Sequence, residues 1–255
     1  MDYAIVVVPA APVRRKARHQ SEMTNQLLFG DAVEIIKGKG PLWKKVRSLN
    51  DNYEGWLTRT LLQEVSVEEA KAYCAFVAPG KINTLLAGEE KIHIPLGSSL
   101  PRYANGELKI GENIYRLEGD VLQRNALPPD AGLITKLSRD WLNAPYMWGG
   151  KTMFGVDCSG FVQMNFKMMG IDLPRDAWQQ AQEGKTIEKL KNAVCGDIAF
   201  FDDREEIVHV GILLSSDEII HSSGKVRIDT IDKKGIINKE TGKRTHSLRV
   251  IKRLW

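Results

Sequence analysis

The stretch from Asp157 to Gly170 constrains this chain more than any other. Its apolar residues recur at Cys158, Phe161, Val162, Phe166 and Met169, one face of a helix. Asp157 suits the N-cap of that helix and Gly170 its C-terminal stop. A cysteine therefore opens a helix, where unpaired backbone N–H groups and the helix dipole favour a thiolate. A helix start is one of the places where a thiol becomes a nucleophile. Taken alone, the same pattern also fits a buried free cysteine on an amphipathic helix.

Two histidines follow downstream. Val208–Leu214 alternates as a strand does, Ser215-Ser216-Asp217-Glu218 is a turn, and Ile219–Ser223 is a second strand. A hairpin centred near Ser215 or Ser216 sets His209 and His221 opposite or nearly opposite each other. Their even separation then puts both on one face. Two imidazoles on one face of a ribbon are costly to bury without partners. By charge, Cys158 is the candidate nucleophile, His209 the general base, and His221 the group that holds the base in orientation. The Cys158 backbone N–H and the Tyr146 hydroxyl are the candidate oxyanion donors.

Upstream, short strands alternate with turns. Ala32–Ile36, Trp43–Arg47 and Gly55–Leu57 are punctuated by Gly38, Gly40, Pro41 and Asn50-Asp51-Asn52. Ser66, with Glu69 three residues on, fits a capping box, and the helix formers behind it predict a bridging helix across Val65–Phe76. A second β-rich stretch runs from Ile82 to Gln123, and Leu127-Pro128-Pro129-Asp130 reads as a stiff linker.

Composition narrows the function classes. A charge of +4, with 27% charged and 43% hydrophobic residues, is ordinary for a globular chain and is no nucleic-acid footprint. The basic run Arg14–Arg18 reads as solvated surface. No apolar run approaches the ~18 residues needed to span a bilayer. The three cysteines, Cys74, Cys158 and Cys195, are an odd number and imply no disulfide framework. The opening residues have no basic segment before their apolar stretch. The expected setting is therefore the cytoplasm, or the periplasm or exterior if a signal segment has been removed. No motif implies a cofactor or a metal.

Two resemblances are carried by these residues. Gln26–Asp31, a strand, Trp43, and then Tyr53–Leu57 resemble the bacterial SH3-like domain. Ala144–Gly150, Asp157–Gln163, Pro174-Arg175-Asp176, Gly196–Phe201, His209–Ile212 and Ile220–Ser223 resemble the NlpC/P60 family of cysteine peptidases. The second resemblance implies an α+β, papain-like catalytic domain, in which a cysteine-bearing helix packs on an antiparallel sheet that carries the histidines. Two small SH3-like β-barrels precede it. The implied division is 1–65 for the first barrel, 66–78 for the bridging helix, 79–126 for the second barrel and 127–255 for the peptidase domain. Catalytic roles fall on Cys158, His209 and His221, with Tyr146 near the oxyanion site and Asp157 before the cysteine. The order, Cys before His, is that of the peptidases rather than of circularly permuted relatives.

Two SH3-like domains ahead of such a domain are similar to the γ-D-glutamyl-L-diamino acid endopeptidases. That similarity implies hydrolysis of the γ-D-Glu–diamino acid bond in murein tripeptides or tetrapeptides with a free N-terminal L-Ala, through a thioester. Glu22 and Tyr53 then receive the free amine at one end of the cleft, and Trp148, Ser159 and Asp176 contact substrate. Ala177 stands where relatives can carry a small hydroxyl residue. Competing readings are a wall-peptide binding module with an inactive peptidase domain, a zinc site using Cys158 or Cys195 with the histidines, and a nucleic-acid reader. No Cys-x-x-Cys or His-Glu-x-x-His spacing and no aromatic–basic interleaving favour the last two. Residues 225–245, rich in Lys and Gly, carry no assigned role.

Overall fold

The computed structural model describes residues 2–126, 128–203 and 206–255. Leu127, where the proline linker begins in sequence, lies outside them. The chain divides into two compact units. The first comprises the chain through Ala126 together with Trp148–Met153, and the second comprises the rest.

In the first unit, alternating β-branched strands build an antiparallel seven-stranded sheet. Its order is Met23–Leu28, Ala10–Arg14, Glu54–Thr58, Trp43–Ser48, Ala32–Lys39, Tyr3–Val6, Leu62–Val65. Inward residues Val13, Leu27, Val33, Val46 and Leu57 form one core. The bridging helix is shorter than the pattern predicts. Ser66 Oγ accepts from Glu69 N at 3.2 Å and starts it, but only Val67–Lys71 is helical. Ala72 already leaves helical geometry, and Phe76–Val77 is a strand paired with Leu122–Gln123.

The second β-rich stretch forms a four-stranded sheet ordered Glu90–Pro95, Ile82–Ala87, Asn113–Glu118, Glu107–Ile110. It shares its core with the first sheet: Leu85, Ile94, Leu108 and Tyr115 pack with Ile5, Phe29 and Val65. Asp31 pins this junction, its Oδ1 accepting from Ser99 Oγ at 3.0 Å and its Oδ2 from Leu28 N at 2.9 Å. Gly30 stands beside it at φ +80°, and a Cβ there would lie 1.9 Å from the Ser99 carbonyl oxygen, so only glycine fits.

The second unit holds a seven-stranded antiparallel sheet, six of whose strands close into a barrel. From an edge at Lys185–Thr186 the order runs Arg244–Arg253, Ile198–Asp203, Glu206–Leu213, Glu218–Ser223, Lys225–Asp232, Gly235–Ile237. The last of these pairs back onto Arg244–Arg253. Residues 225–245, without a role in the sequence reading, thus supply two strands of the barrel and the start of Arg244–Arg253, the strand that closes it. Ala199, Phe201, Leu213, Ile219, Ile231, Ile236 and Ile251 pack together as its core. The helix Cys158–Met168 packs on the strands that carry the two histidines. Its apolar spacing predicts a helix with one buried face. In the structure every residue of it is buried, as a helix at the centre of a unit must be. Two of its polar residues turn to backbone: Gln163 Nε2 donates to Leu173 O at 2.9 Å and Asn165 Nδ2 to Phe161 O at 2.8 Å.

Candidate active site

Asp157 caps the cysteine helix, its Oδ1 accepting from Gly160 N at 2.7 Å. The same carboxylate receives both terminal nitrogens of Arg175, Nη1 on Oδ1 at 3.0 Å and Nη2 on Oδ2 at 2.6 Å. Both side chains are buried, and a paired, hydrogen-bonded carboxylate is the form in which a buried charge is tolerated. Arg175 Nη1 also donates to Ser159 Oγ at 2.8 Å, so the Ser159 hydroxyl belongs to this cluster. Cys158 follows the cap and is buried, and the backbone N–H groups of Val210 and Ser159 act to lower its thiol pKa.

The helix start predicts a thiolate; the buried environment gives the reverse. Desolvation, and then the charge of Asp157, push the Cys158 thiol up to about 12, outweighing the two N–H groups and Arg175. His209 is shifted well below its ordinary value, by burial first and then by His221 and His246. Burial thus favours the neutral form of both the thiol and the imidazole.

The histidine strands pair with Gly211 opposite His221, which places the hairpin centre at Ser216 and the histidines diagonal rather than directly opposite. Gly211 makes the diagonal contact feasible: a Cβ there would lie 2.8 Å from the Cβ of His221. His209 Nε2 and His221 Nδ1 are 2.8 Å apart. His221 Nε2 lies 3.1 Å from Asp229 Oδ2, on the next strand. Asp229 is buried. Burial pushes its carboxyl up, but hydrogen bonds from His221, the Lys239 backbone and Arg227 outweigh that and hold it at about 2.

Tyr146 has its backbone fixed by a hydrogen bond to Gly224 O at 2.9 Å. Desolvation, and then Cys158 and Asp157, push its phenol up to about 12, so it remains a hydrogen-bond donor. Asp176 caps the short helix Ala177–Gln180, and Gln180 Nε2 donates to Ser159 O at 3.1 Å. In the first unit, Trp148 Nε1 donates to Glu22 Oε1 at 2.9 Å, and Arg15 pairs with Glu22 Oε2 at 3.2 Å. Tyr53 packs against the core of the first sheet. Gly149 lies at φ +76°, where a Cβ would meet the Met23 carbonyl oxygen at 2.8 Å, so the segment carrying Trp148 can lie close to the strand after Glu22. The Cys195 sulfur sits 3.2 Å from Thr135 Oγ1, against the helix Ala131–Arg139. Among the described residues no group of three or more His, Cys, Asp or Glu side chains is arranged to hold a metal ion.

Sequence reasoning missed three neighbours of this constellation. Arg175 sits inside a quoted motif, and only its burial reveals its bond to Asp157. Asp229 lies two residues from Arg227, the cross-strand partner of His221; an acidic residue at an inward position among isoleucines is the signal that could have found it. His246 arrives on the closing strand and stacks on His209, with ring centres 4.1 Å apart. No local pattern marks it.

Together these features define the α+β class in which a cysteine-bearing helix packs on an antiparallel barrel that presents histidines. The NlpC/P60 family pattern matches residues 143–245, and that of the bacterial dipeptidyl-peptidase Sh3 domain matches residues 13–62. A γ-D-glutamyl-L-lysine dipeptidyl-peptidase of Bacillus subtilis (strain 168) is 30% identical over 213 residues, 77% of this chain and 71% of the relative. A Bacillus cereus protein of the same name is 24% identical over 254 residues, covering 89% and 76%. The crystal structure of an NlpC/P60 family protein from Bacillus cereus shares the fold, with a TM-score of 0.81 over 98% of this chain and 99% of that one at 19% identity. The chain belongs to the NlpC/P60 family.

Proposed function

We propose that this protein is a cysteine peptidase that cuts cell-wall peptides at the bond between γ-D-glutamate and a following L-diamino acid. The observation that carries the chemistry is the hydrogen-bonded line of His209, His221 and Asp229 beside a buried helix-start cysteine, on a helix that packs against the histidine strands. The substrate class is supported by the names of the two Bacillus relatives.

His209 Nε2 is committed to His221, so Nδ1 is the nitrogen left to act as base. The resting thiol is protonated, so deprotonation accompanies attack rather than preceding it. The Cys158 sulfur adds to the γ-carbonyl carbon as its proton passes to His209. The Cys158 N–H and the Tyr146 hydroxyl stabilise the oxyanion. Collapse expels the amine of the diamino acid, which takes the proton back from His209, and leaves a thioester. A water molecule, deprotonated by His209, then hydrolyses the thioester, releases the acid and restores the thiol.

Glu22 and Tyr53 are assigned to the free N-terminal ammonium, and Trp148 holds the Glu22 carboxylate in orientation. Acylating the amine removes the positive charge and leaves Glu22 facing a neutral group. Loss of such a charge-assisted contact lowers kcat/KM by about 10²-fold. The test is mass spectrometry of L-Ala-γ-D-Glu-L-Lys and its N-acetyl form after incubation with the protein. L-Ala-γ-D-Glu and L-Lys are the expected products, formed from the free peptide in preference. An uncut free peptide refutes the peptidase reading; equal cleavage of both refutes amine recognition alone.

A further inference from the structure

Asp229 is surrounded by donors on every side. Its Oδ2 faces His221 Nε2 at 3.1 Å and Arg227 Nε at 3.0 Å. Its Oδ1 faces Arg227 Nη2 at 3.2 Å and Lys239 N at 2.9 Å. An ionised carboxylate can only accept, and an arginine fork and a backbone N–H can only donate. The one partner free to change is the imidazole. Next to a carboxylate, His221 must carry its proton on Nε2. If the ring is neutral, Nδ1 is then a bare lone pair. The 2.8 Å contact with His209 Nε2 requires one proton between the two nitrogens, so the proton sits on His209. His209 Nδ1 is left bare.

We propose that Asp229, clamped by Arg227, is a positioning residue that sets the tautomers of both histidines and thereby makes His209 Nδ1 the acceptor for the Cys158 proton. The role rests on the peptidase reading above, but the tautomers do not. Asp229 acts through His221 and touches no reacting atom. The other titratable group packed on these rings is His246, stacked on His209 and 5.9 Å from the His221 ring centre. Its Nδ1 is engaged on its own strand instead, 2.9 Å from Thr245 Oγ1.

An amide at position 229 separates this role from simple packing. Its NH₂ must replace one of the two oxygens. Facing Lys239 N and Arg227 Nη2, it would oppose two donors that cannot change. Facing His221, it opposes only Arg227 Nε, because the imidazole can switch tautomer and accept. Asp229→Asn is therefore expected to move the proton of His221 to Nδ1. His221 then donates to His209 Nε2, and His209 carries its own proton on Nδ1, where it can no longer accept one.

The experiment is nitrogen NMR of the full-length protein carrying ¹⁵N-labelled histidine, with kinetics on L-Ala-γ-D-Glu-L-Lys. In the wild type at neutral pH, Nε2 is expected to be protonated and Nδ1 bare on both His209 and His221. In Asp229→Asn both patterns reverse, and kcat falls by about 10²-fold to 10⁴-fold, as a wrong tautomer does in serine-protease triads, with KM changed far less. A wild-type His221 protonated on Nδ1 overturns the proposal, and needs no variant to fold. So does a folded Asp229→Asn protein with unchanged tautomers and unchanged kcat. A wild type that cuts no peptide refutes the peptidase reading while the ring nitrogens still decide the tautomers.

Discussion

Two of the carboxylate–guanidinium pairs among the described residues of the second unit serve opposite ends of the same chemistry. Asp157–Arg175 stands behind the cysteine, and Asp229–Arg227 stands behind the histidines. At Asp157 the other partners include a helix N–H and a hydroxyl, Gly160 N and Ser159 Oγ. Neither can store a choice of proton position, so this pair is a staple. It fixes the helix start, and its two charges act on the thiol in opposite senses, the acid raising its pKa more than the arginine lowers it. At Asp229 one partner is an imidazole with two nitrogens, and there the same kind of pair carries directional information. The difference lies in the third partner rather than in the ion pair.

The comparison is tested most severely at the atoms the two pairs serve. Cys158→Ala is expected to lower kcat by about 10³-fold or more with the fold intact, as loss of a covalent-catalysis residue does. Activity within tenfold of wild type would remove the cysteine from the chemistry altogether. Arg175→Met should come next. Breaking a buried pair by removing one partner costs about 3–5 kcal/mol, read as a shift in urea midpoint. Arg227 is more exposed than Arg175, at 14% against 1%, and Asp229 keeps the Lys239 N–H and His221. Arg227→Met should therefore lose less stability; equal losses would show that both pairs are staples.

Titration gives a smaller effect. His209 and His246 are held below 6.5 by burial, His246 at about 4. The unfolded chain binds protons at these rings before the folded protein does. Their contribution to stability is thus present above pH 6.5 and is lost as the pH falls from there toward 4. The melting temperature should decline over that interval, and less in His246→Phe. In the same samples, iodoacetamide alkylation of Cys158 should rise only at alkaline pH. A fast plateau between pH 5 and 8 would instead mean a thiolate–imidazolium pair at rest. The smallest effect is expected at Glu240, which meets Arg227 Nη1 at 3.3 Å from an exposed position. Glu240→Ala should change stability by less than about 1 kcal/mol and kcat by less than twofold.

What could be read from sequence follows the range of the interaction. Cys158 and Asp157 are neighbours on one helix start, and His209 and His221 flank one hairpin, so short spacings bring each pair together. Their diagonal offset is less legible, because it depends on a register two residues away at Gly211. Asp229 needs a third strand and His246 a closing one, and no local period encodes which strands will meet. The upward shift of the Cys158 thiol runs against the pull of the helix start for a related reason. The helix start is visible in sequence, whereas the desolvation that outweighs it comes from everything packed around the helix. The short bridging helix shows the same limit: helix formers continue to Phe76, but Phe76–Val77 is claimed by Leu122–Gln123.

Closure of the barrel by Arg244–Arg253 has a consequence for synthesis. A ribosome delivers Cys158, His209, His221 and Asp229 in that order, well before the strand that seals the ring. Until residues 244–253 emerge, the strands Ile198–Asp203 and Gly235–Ile237 each lack one of their two neighbours, and His209 lacks the ring that stacks on it. A nascent chain would thus own every reactive group without the walls that organise them. We expect a released chain ending at Lys243 to be inert toward the tripeptide. Full activity in a chain truncated at Lys243 would show that the ring need not close for the site to work.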